Sequence, residues 1–521
     1  MPTTVSRRLA LGLQAALVAL VAVAGAGAAE DQARARKDLK KNAKRLASVD
    51  QALAQKQQQL EQVLGAPKLD EARQRAVEQE IVQLRDAGGE VIASIAAADN
   101  DDAAELLVGF AVATASNDLY ERALSELARL DDAGAIGWMA STLGAGVLEE
   151  DKRQRGRGGA GRRGGDDAWK AQVLIARAFE GLGSPATVPP IAAQIEKGTS
   201  PQVVNACVKA ATRKRDKRVL PALISLLGRV ERQGGWEYYQ VRQALVDLTG
   251  EDFLTQERWA GWWGANEATF DFDRRGDARE ASTRERGPQE KVPTFFGSEI
   301  ASNRMCFIID VSGSMCMTDR PVEHVLSDDE FAKLDPDSPE VKPYRRMERA
   351  KKALAEAVRG LQPTQRFNII AFSTNNRMWK AATVEATDAN RADAIKFIEG
   401  LRDDGGTNTY DALEAAFRDP LVDTIYLLSD GAPMVKVGNP GEQMRLFARD
   451  EVRRILDFVR RENRFRGLRI YTFGMDGAGV WHHKWGLPRP VTLPTESEWL
   501  AILSGFMRDL ANLTGGTFKS I

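Results

Sequence analysis

The stretch "FIIDVSGSMCM", residues 307–317, decides how the C-terminal half of this chain folds. An apolar run ends in Asp310, and serines follow at 312 and 314. A short apolar run that ends in a polar, glycine-containing turn reads as a buried strand meeting a loop. The spacing places three hard oxygens on one tight loop, which is half of a cation cage. The other half is expected downstream.

Reading outward, the text from residue 294 alternates between strand-like and helix-like segments. "RMCFIID", "RFNIIAFS", "DTIYLLSD" and "LRIYTF" read as strands. "RRMERAKKALAEAVRGL", "NRADAIKFIEGL", "TYDALEAAFRD", "RDEVRRILDFVRRENR" and "EWLAILSGFMRDLANLTGG" read as helices, and "TFKSI" as a last short strand. Such alternation predicts an α/β, doubly wound, mostly parallel sheet covered on both faces. Ligands of these sheets bind beyond the carboxyl ends of the strands, where the strand order reverses. Asp310 ends one strand and Asp430, in "LLSDGAP", ends another. Thr407, in "GGTNTYDAL", sits on a glycine-hinged loop that opens a helix.

The set Asp310, Ser312, Ser314, Thr407 and Asp430 resembles the metal-ion-dependent adhesion site of von Willebrand factor A domains. The resemblance covers residues 294–521. It implies a Rossmann-like sheet of order 3-2-1-4-5-6 and a bound Mg²⁺ or Mn²⁺. It also implies roles: Ser312 and Ser314 as direct ligands, Thr407 as a ligand directly or through water, and Asp310 and Asp430 holding coordinated waters. Neutral hydroxyl ligands would leave the ion its positive charge and an open position. The expected partner is therefore a protein that offers an Asp or Glu carboxylate. Mg²⁺ asks for six oxygens in an octahedron at ~2.0–2.1 Å, which hard oxygen donors suit.

Two long segments interrupt this domain. Residues 318–344 carry eight acidic and three basic residues. Residues 476–496 carry Trp481, His482, His483, Lys484 and Trp485. Both follow strands and are expected to frame the metal and select its partner. Alternatively, Asp328, Asp329 or Glu330 fills the open position and inhibits the site from within.

The first half reads as all-α. Leu39, Leu46, Leu53 and Leu60 recur every seven residues, and Val77, Ile81 and Leu84 mark a second helix over about 70–86. Residues 30–90 thus form a long helical hairpin, or a coiled coil capable of self-association. Residues 91–268 read as helix pairs. Val188-Pro189-Pro190 corresponds to Val219-Leu220-Pro221 one repeat later, and the units resemble the HEAT repeats of α-solenoids. Trp259, Trp262 and Trp263 form an apolar stripe expected to close the end of that stack. The Gly/Arg-rich segment 156–167 reads as a solvated loop, without aromatic residues for stacking on nucleic acid. Residues 269–293 read as a charged linker. HEAT-like repeats followed by such a C-terminal domain also resemble a group of bacterial secreted proteins.

The N-terminus carries Arg7 and Arg8, then an apolar run, then small residues ending at Ala29. This is the pattern of a secretory signal peptide over residues 1–29, with a twin-arginine flavour, and it predicts an extracytoplasmic protein, periplasmic or secreted. An uncleaved anchor helix is the alternative; no membrane span is expected after cleavage. The formal net charge of −1 gives no global pull toward nucleic acid or anionic membranes. Three widely spaced cysteines form no disulfide framework and no CxxC site.

No GxxxxGK[ST], HExxH or GxSxG motif occurs, and the three histidines all fall in the inserted segments. The expectation is a metal-dependent binding module, not an enzyme, with the helical half as scaffold. A scaffold with a merely structural metal and a metal-assisted hydrolase are the alternatives.

Overall fold

The computed structural model describes residues 29–64, 70–155, 168–232, 234–273, 293–319, 326–431, 433, 448–475, 479–480 and 496–521. The expected leader at 1–28, the segment 156–167 expected as a loop, most of the expected linker (274–292), His324 and the run from Trp481 to Trp485 lie outside them. The chain divides into two compact units, 1–287 and 288–521.

The first unit is helical. Helix α1 (Ala29–Leu64) turns Leu39, Ala43, Leu46 and Leu53 inward at spacings of three and four or their sums, one stripe of a helix. That stripe packs against α2 (Glu71–Ala96), which buries Val77, Ile81, Val91, Ile92 and Ile95. Asp70 caps α2 by accepting from the Arg73 N–H at 3.0 Å. The sequence reading ends this helix near Asp86; in the structure it continues through Gly88 and Gly89 to Ala96. The glycines cost helix propensity, about 1 kcal/mol each against alanine. Here α4 (Asn117–Leu127) lies close: a Cβ on Gly88 would stand 2.7 Å from Leu119 Cδ2, which would have to shift.

Eleven helices follow one another in this unit among the described residues: α1, α2, α3 (Asp101–Ala113), α4, α5 (Ala133–Arg155), α6 (Ala168–Gly181), α7 (Val188–Lys197), α8 (Pro201–Lys214), α9 (Val219–Val230), α10 (Gly235–Thr249) and α11 (Gln256–Asn266). Helices α2, α4, α6, α8 and α10 contact one another in succession, and so do α3, α5, α7, α9 and α11, which makes a two-layer stack. The two Val-x-Pro segments open α7 and α9, in the same layer. Proline suits the first turn of a helix because its missing N–H has no acceptor there. Trp259 and Trp263 of α11 are buried, and Phe253 and Phe270 meet the tryptophan stripe edge-on.

The second unit is built on a mixed, mostly parallel sheet. Its strands are β3 (Arg304–Asp310), β5 (Arg366–Phe372), β6 (Asn376–Met378), β7 (Val384–Glu385), β8 (Thr424–Ser429), β9 (Arg469–Gly474) and β11 (Phe518–Ser520). They lie in the order β11-β9-β8-β3-β5-β6, with β7 sharing the β5 edge. All pairings are parallel except those of β6 and β7 with β5. A hairpin of β1 (Thr294–Phe295) and β2 (Ser298–Glu299) precedes it, and Phe295 packs on Phe307 and Phe473.

Strand β3 has both faces buried, so its alternate residues feed two cores. Met305, Phe307 and Ile309 join α13 (Arg346–Gly360) and α14 (Asp388–Glu399) on one side. Cys306 and Ile308 join α15 (Thr409–Phe417), α16 (Ala448–Glu462) and α17 (Glu496–Thr514) on the other. The three cysteines are buried thiols. The architecture is the expected one: a helical half followed by a doubly wound sheet.

The insertions add a small device of their own. Strand β4 (Thr318–Asp319) from the first pairs antiparallel with β10 (Gly479–Val480) from the second. A short helix, α12 (Asp328–Lys333), packs Phe331 and Ala332 with Val341 and Val480.

Candidate metal centre

Strand order reverses at β3, which sends its neighbours β5 and β8 to opposite sides. The carboxyl ends of β3 and β8 deliver Asp310, Ser312, Ser314 and Asp430. Asp310 is the last residue of β3 and fully buried. Its Oδ1 accepts from the Ser312 N–H at 2.8 Å, and its Oδ2 accepts from the Ser429 hydroxyl. The Asx-type bond to Ser312 folds the chain over at once, so that Ser312 and Ser314 present hydroxyls 3.1 Å apart. Ser314 Oγ donates to Asp430 Oδ1 at 2.7 Å.

Thr407 arrives from the loop before α15. Gly405, at φ +81°, makes the turn, and its carbonyl accepts from the Gly313 N–H at 3.0 Å. That bond ties the threonine loop to the serine loop. A Cβ on Gly431 would lie 3.3 Å from Thr407 Oγ1 and 3.8 Å from Ser314 Oγ, so Thr407, Ser314 and the residue after Asp430 meet around a space that glycine leaves open.

Three further residues complete the site. Ser429 holds Asp310, and its hydroxyl oxygen accepts from the Gly431 N–H at 3.2 Å. Arg346 Nη1 donates to Asp430 Oδ2 at 2.9 Å, and its Nε donates to Asp319 Oδ1 at 2.8 Å. The sequence held a signal for Arg346: it shares the inward stripe of α13 with Ala350 and Leu354, an odd place for a charge unless it is paired.

Charge is out of balance here. Among the described residues, Asp310 and Asp430 are both buried, and Asp430 shares Arg346 with Asp319, which Arg349 also holds. Burial first, and the Asp430 charge second, push the Asp310 carboxyl up to about 7. Burial also raises Asp430, with Arg346 pulling the other way. An uncompensated carboxylate in a buried place is costly, and a divalent cation would offset it. Every donor is a hard oxygen, two carboxylates and three hydroxyls, which suits Mg²⁺ or Mn²⁺ and not a thiophilic metal. No group of three or more His, Cys, Asp or Glu side chains placed to hold a metal occurs among the described residues. The site offers such an ion two carboxylates and three hydroxyls.

Glu330 of the first insertion is engaged elsewhere. Its carboxylate accepts from the Ser327 N–H at 2.8 Å and from the Ser327 hydroxyl at 2.6 Å, a capping box on α12.

With this geometry in view, comparison with known proteins places the second unit. Residues 339–475 match the family model described as von Willebrand factor type A domain. The match includes Thr407 and Asp430 and begins after the Asp310 loop. Within the C-terminal unit, residues 339–475 are thus similar to a von Willebrand factor type A domain. Among curated proteins, mouse inter alpha-trypsin inhibitor heavy chain 4 is 31% identical over 163 residues, covering 29% of this chain and 14% of the relative. Human inter-alpha-trypsin inhibitor heavy chain H4 is 32% identical over 108 residues, 18% and 12% respectively. Human von Willebrand factor A domain-containing protein 3B is 27% identical over 158 residues, 30% and 9%. The similarity therefore spans a small part of each of these relatives. Among solved structures, a von Willebrand factor type A protein from Catenulispora acidiphila aligns at a TM-score of 0.26 and 19% identity, over 42% of this chain and 38% of that one. The PilB minor pilin of Streptococcus sanguinis aligns at 0.28 and 16% identity, over 45% and 58%.

Proposed function

We propose that the C-terminal unit is a divalent-cation-dependent protein-binding module of the extracytoplasmic space, with the helical unit, read as a HEAT-like solenoid, as its scaffold. A von Willebrand factor A domain typically mediates protein–protein interaction, and the reading here adds how this chain would do so. One observation carries it: hydrogen bonds link Asp310, Ser312, Ser314 and Asp430 at the carboxyl edge of the sheet with Thr407 beside them, and among the described residues they hold more buried negative charge than Arg346 balances.

Ser312, Ser314 and Thr407 would hold Mg²⁺ or Mn²⁺ through neutral oxygens. Asp310 and Asp430 would order its waters; Ser429 and Arg346 fix their carboxylate planes. A bound divalent ion supplies residual positive charge and an exchangeable position for a partner's carboxylate. Gly431, lacking a side chain, keeps the approach clear. The sequence carries no HExxH or GxSxG motif, and the reading taken here is binding and not turnover. The leader pattern at residues 1–29 supports export, and no helix among the described residues is long and apolar enough to cross a membrane.

The test is capture of envelope proteins on the immobilised full chain with Mg²⁺, with chelator, and with Asp310→Ala. Proteins retained in Mg²⁺, released by chelator and missing on the variant support the reading. Retention that chelator and substitution leave unchanged contradicts it. A cation that raises thermal stability without affecting capture assigns the metal a structural role instead.

A further inference from the structure

We infer that Arg346 is the positioning residue of this cation site and couples it to the β4–β10 ribbon that joins the two inserted segments; this rests on the divalent-cation reading above. Arg346 opens α13, and its side chain is only 4% exposed. Its own N–H donates to the Met317 carbonyl at 3.0 Å, just before β4. Its guanidinium then bonds two acids from different directions: Asp430 at the site through Nη1, and Asp319 on the ribbon through Nε. Arg349 holds the other Asp319 oxygen.

The fork matters as much as the charge. A guanidinium is planar and presents its donors in fixed directions, so bonding both acids sets the plane of each. Asp430 is thereby held with Oδ2 on Arg346 and Oδ1 on the Ser314 hydroxyl. The Asp430 carboxylate is presented to the hydroxyl cluster in one orientation, and that orientation depends on a residue anchored to the ribbon. Asp319 in turn pairs with Gly479, and Thr318 with Val480 and with Arg345. Val480 packs into the cluster of Phe331, Ala332 and Val341. An unbroken series of bonds and packed side chains therefore runs from Asp430 to the core of the insertion.

Asp430 cannot give its full charge to both Arg346 and a cation. Loading the site weakens the Arg346 hold on Asp430, and Arg346 then leans on Asp319. By reciprocity, whatever strengthens or breaks the Asp319 contact changes the affinity for the cation. Arg346 thus connects the insertions to the site, which makes the site responsive to what the insertions touch.

Amide hydrogen exchange of the full chain with and without Mg²⁺ tests this, alongside calorimetric titration of the same samples with Mg²⁺. The wild-type chain is expected to change its exchange at residues 318–319 and 345–346 on Mg²⁺ addition. Asp319→Asn is expected to keep binding Mg²⁺ within about tenfold, while its exchange response at those residues falls to less than a third. Arg346→Lys keeps the charge without the fork and is expected to lose the response in the same way. Mg²⁺ heat in the wild type without any exchange response there, or an undiminished response in Asp319→Asn, overturns the coupling and leaves the cation reading standing. Absence of Mg²⁺ heat in the wild type overturns both.

Discussion

Asp310→Asn sets the metal-free fold and the loaded site against each other. The Asp310 carboxyl is raised from 3.8 to about 7 by burial and by Asp430. The folded chain therefore holds this proton more tightly than the unfolded chain does. Its contribution to stability falls as pH climbs from about 4 to about 7 and stays at its minimum above that. At pH 8 in chelator the ionised group costs the fold about 4 kcal/mol. An amide of the same shape removes that cost. It keeps an acceptor for the Ser312 N–H but gives up part of the bond from Ser429, a loss of about 1–2 kcal/mol. The variant should gain about 2–3 kcal/mol, which at about 2–4 °C per kcal/mol is a rise of about 5–10 °C in the melting of the C-terminal unit. Mg²⁺ should then act oppositely on the two proteins. At a hundred times its dissociation constant it stabilises the wild type by about 3 kcal/mol and leaves the variant where it was. Scanning calorimetry of the full chain at pH 8, in chelator and in Mg²⁺, reads both effects. A variant that melts at or below the wild type in chelator, or that gains equally from Mg²⁺, refutes the charge-imbalance reasoning.

Other outcomes follow from single contacts. Gly431→Ala places a methyl group 3.3 Å from Thr407 Oγ1; Mg²⁺ affinity should fall about tenfold or more, equivalent to about 1.4 kcal/mol, and unchanged affinity by calorimetric titration would show that the space beside Thr407 is not used. Gly516→Ala would set a Cβ 2.0 Å from the Ile470 carbonyl oxygen, so the α17–β11 turn must break; loss of soluble protein or destabilisation beyond about 3 kcal/mol is expected, and a wild-type urea midpoint would contradict the turn. Leu53→Ala empties a fully buried position between α1 and α2 and should cost about 2–5 kcal/mol in urea denaturation; a cost under about 0.5 kcal/mol would mean that the leucine stripe is not covered by α2.

Much of this was legible because the chemistry is local. The run from Met305 to Asp310 announces a strand buried on both faces, and the serine spacing after it announces the turn. Thr407 was legible from its glycines, Asp430 from ending a strand. What escaped was either polar or distant. Strands β6 and β7 are short edge pieces with exposed residues, so no apolar alternation marks them. The pairing of β4 with β10 joins two-residue segments from opposite ends of the domain, below any local pattern. Asp319 read as one acid among eight in its segment, and Ser429 as part of an apolar strand. Helix α2 runs past the expected end near Asp86 because Gly88 and Gly89, though poor helix formers, sit where α4 lies close, Gly88 facing Leu119. The heptad leucines of α1 are equally apt for a partner chain or a neighbouring helix; in the structure, α2 covers them.

Calorimetric titration of the full chain with Mg²⁺, repeated with Mn²⁺ and with Asp310→Ala, asks whether hydroxyl oxygens at the rim of a parallel sheet hold a divalent ion. One binding event per chain, lost in the variant, is the expected result. No heat from either ion at millimolar concentration, or heat that persists undiminished in Asp310→Ala, would contradict it.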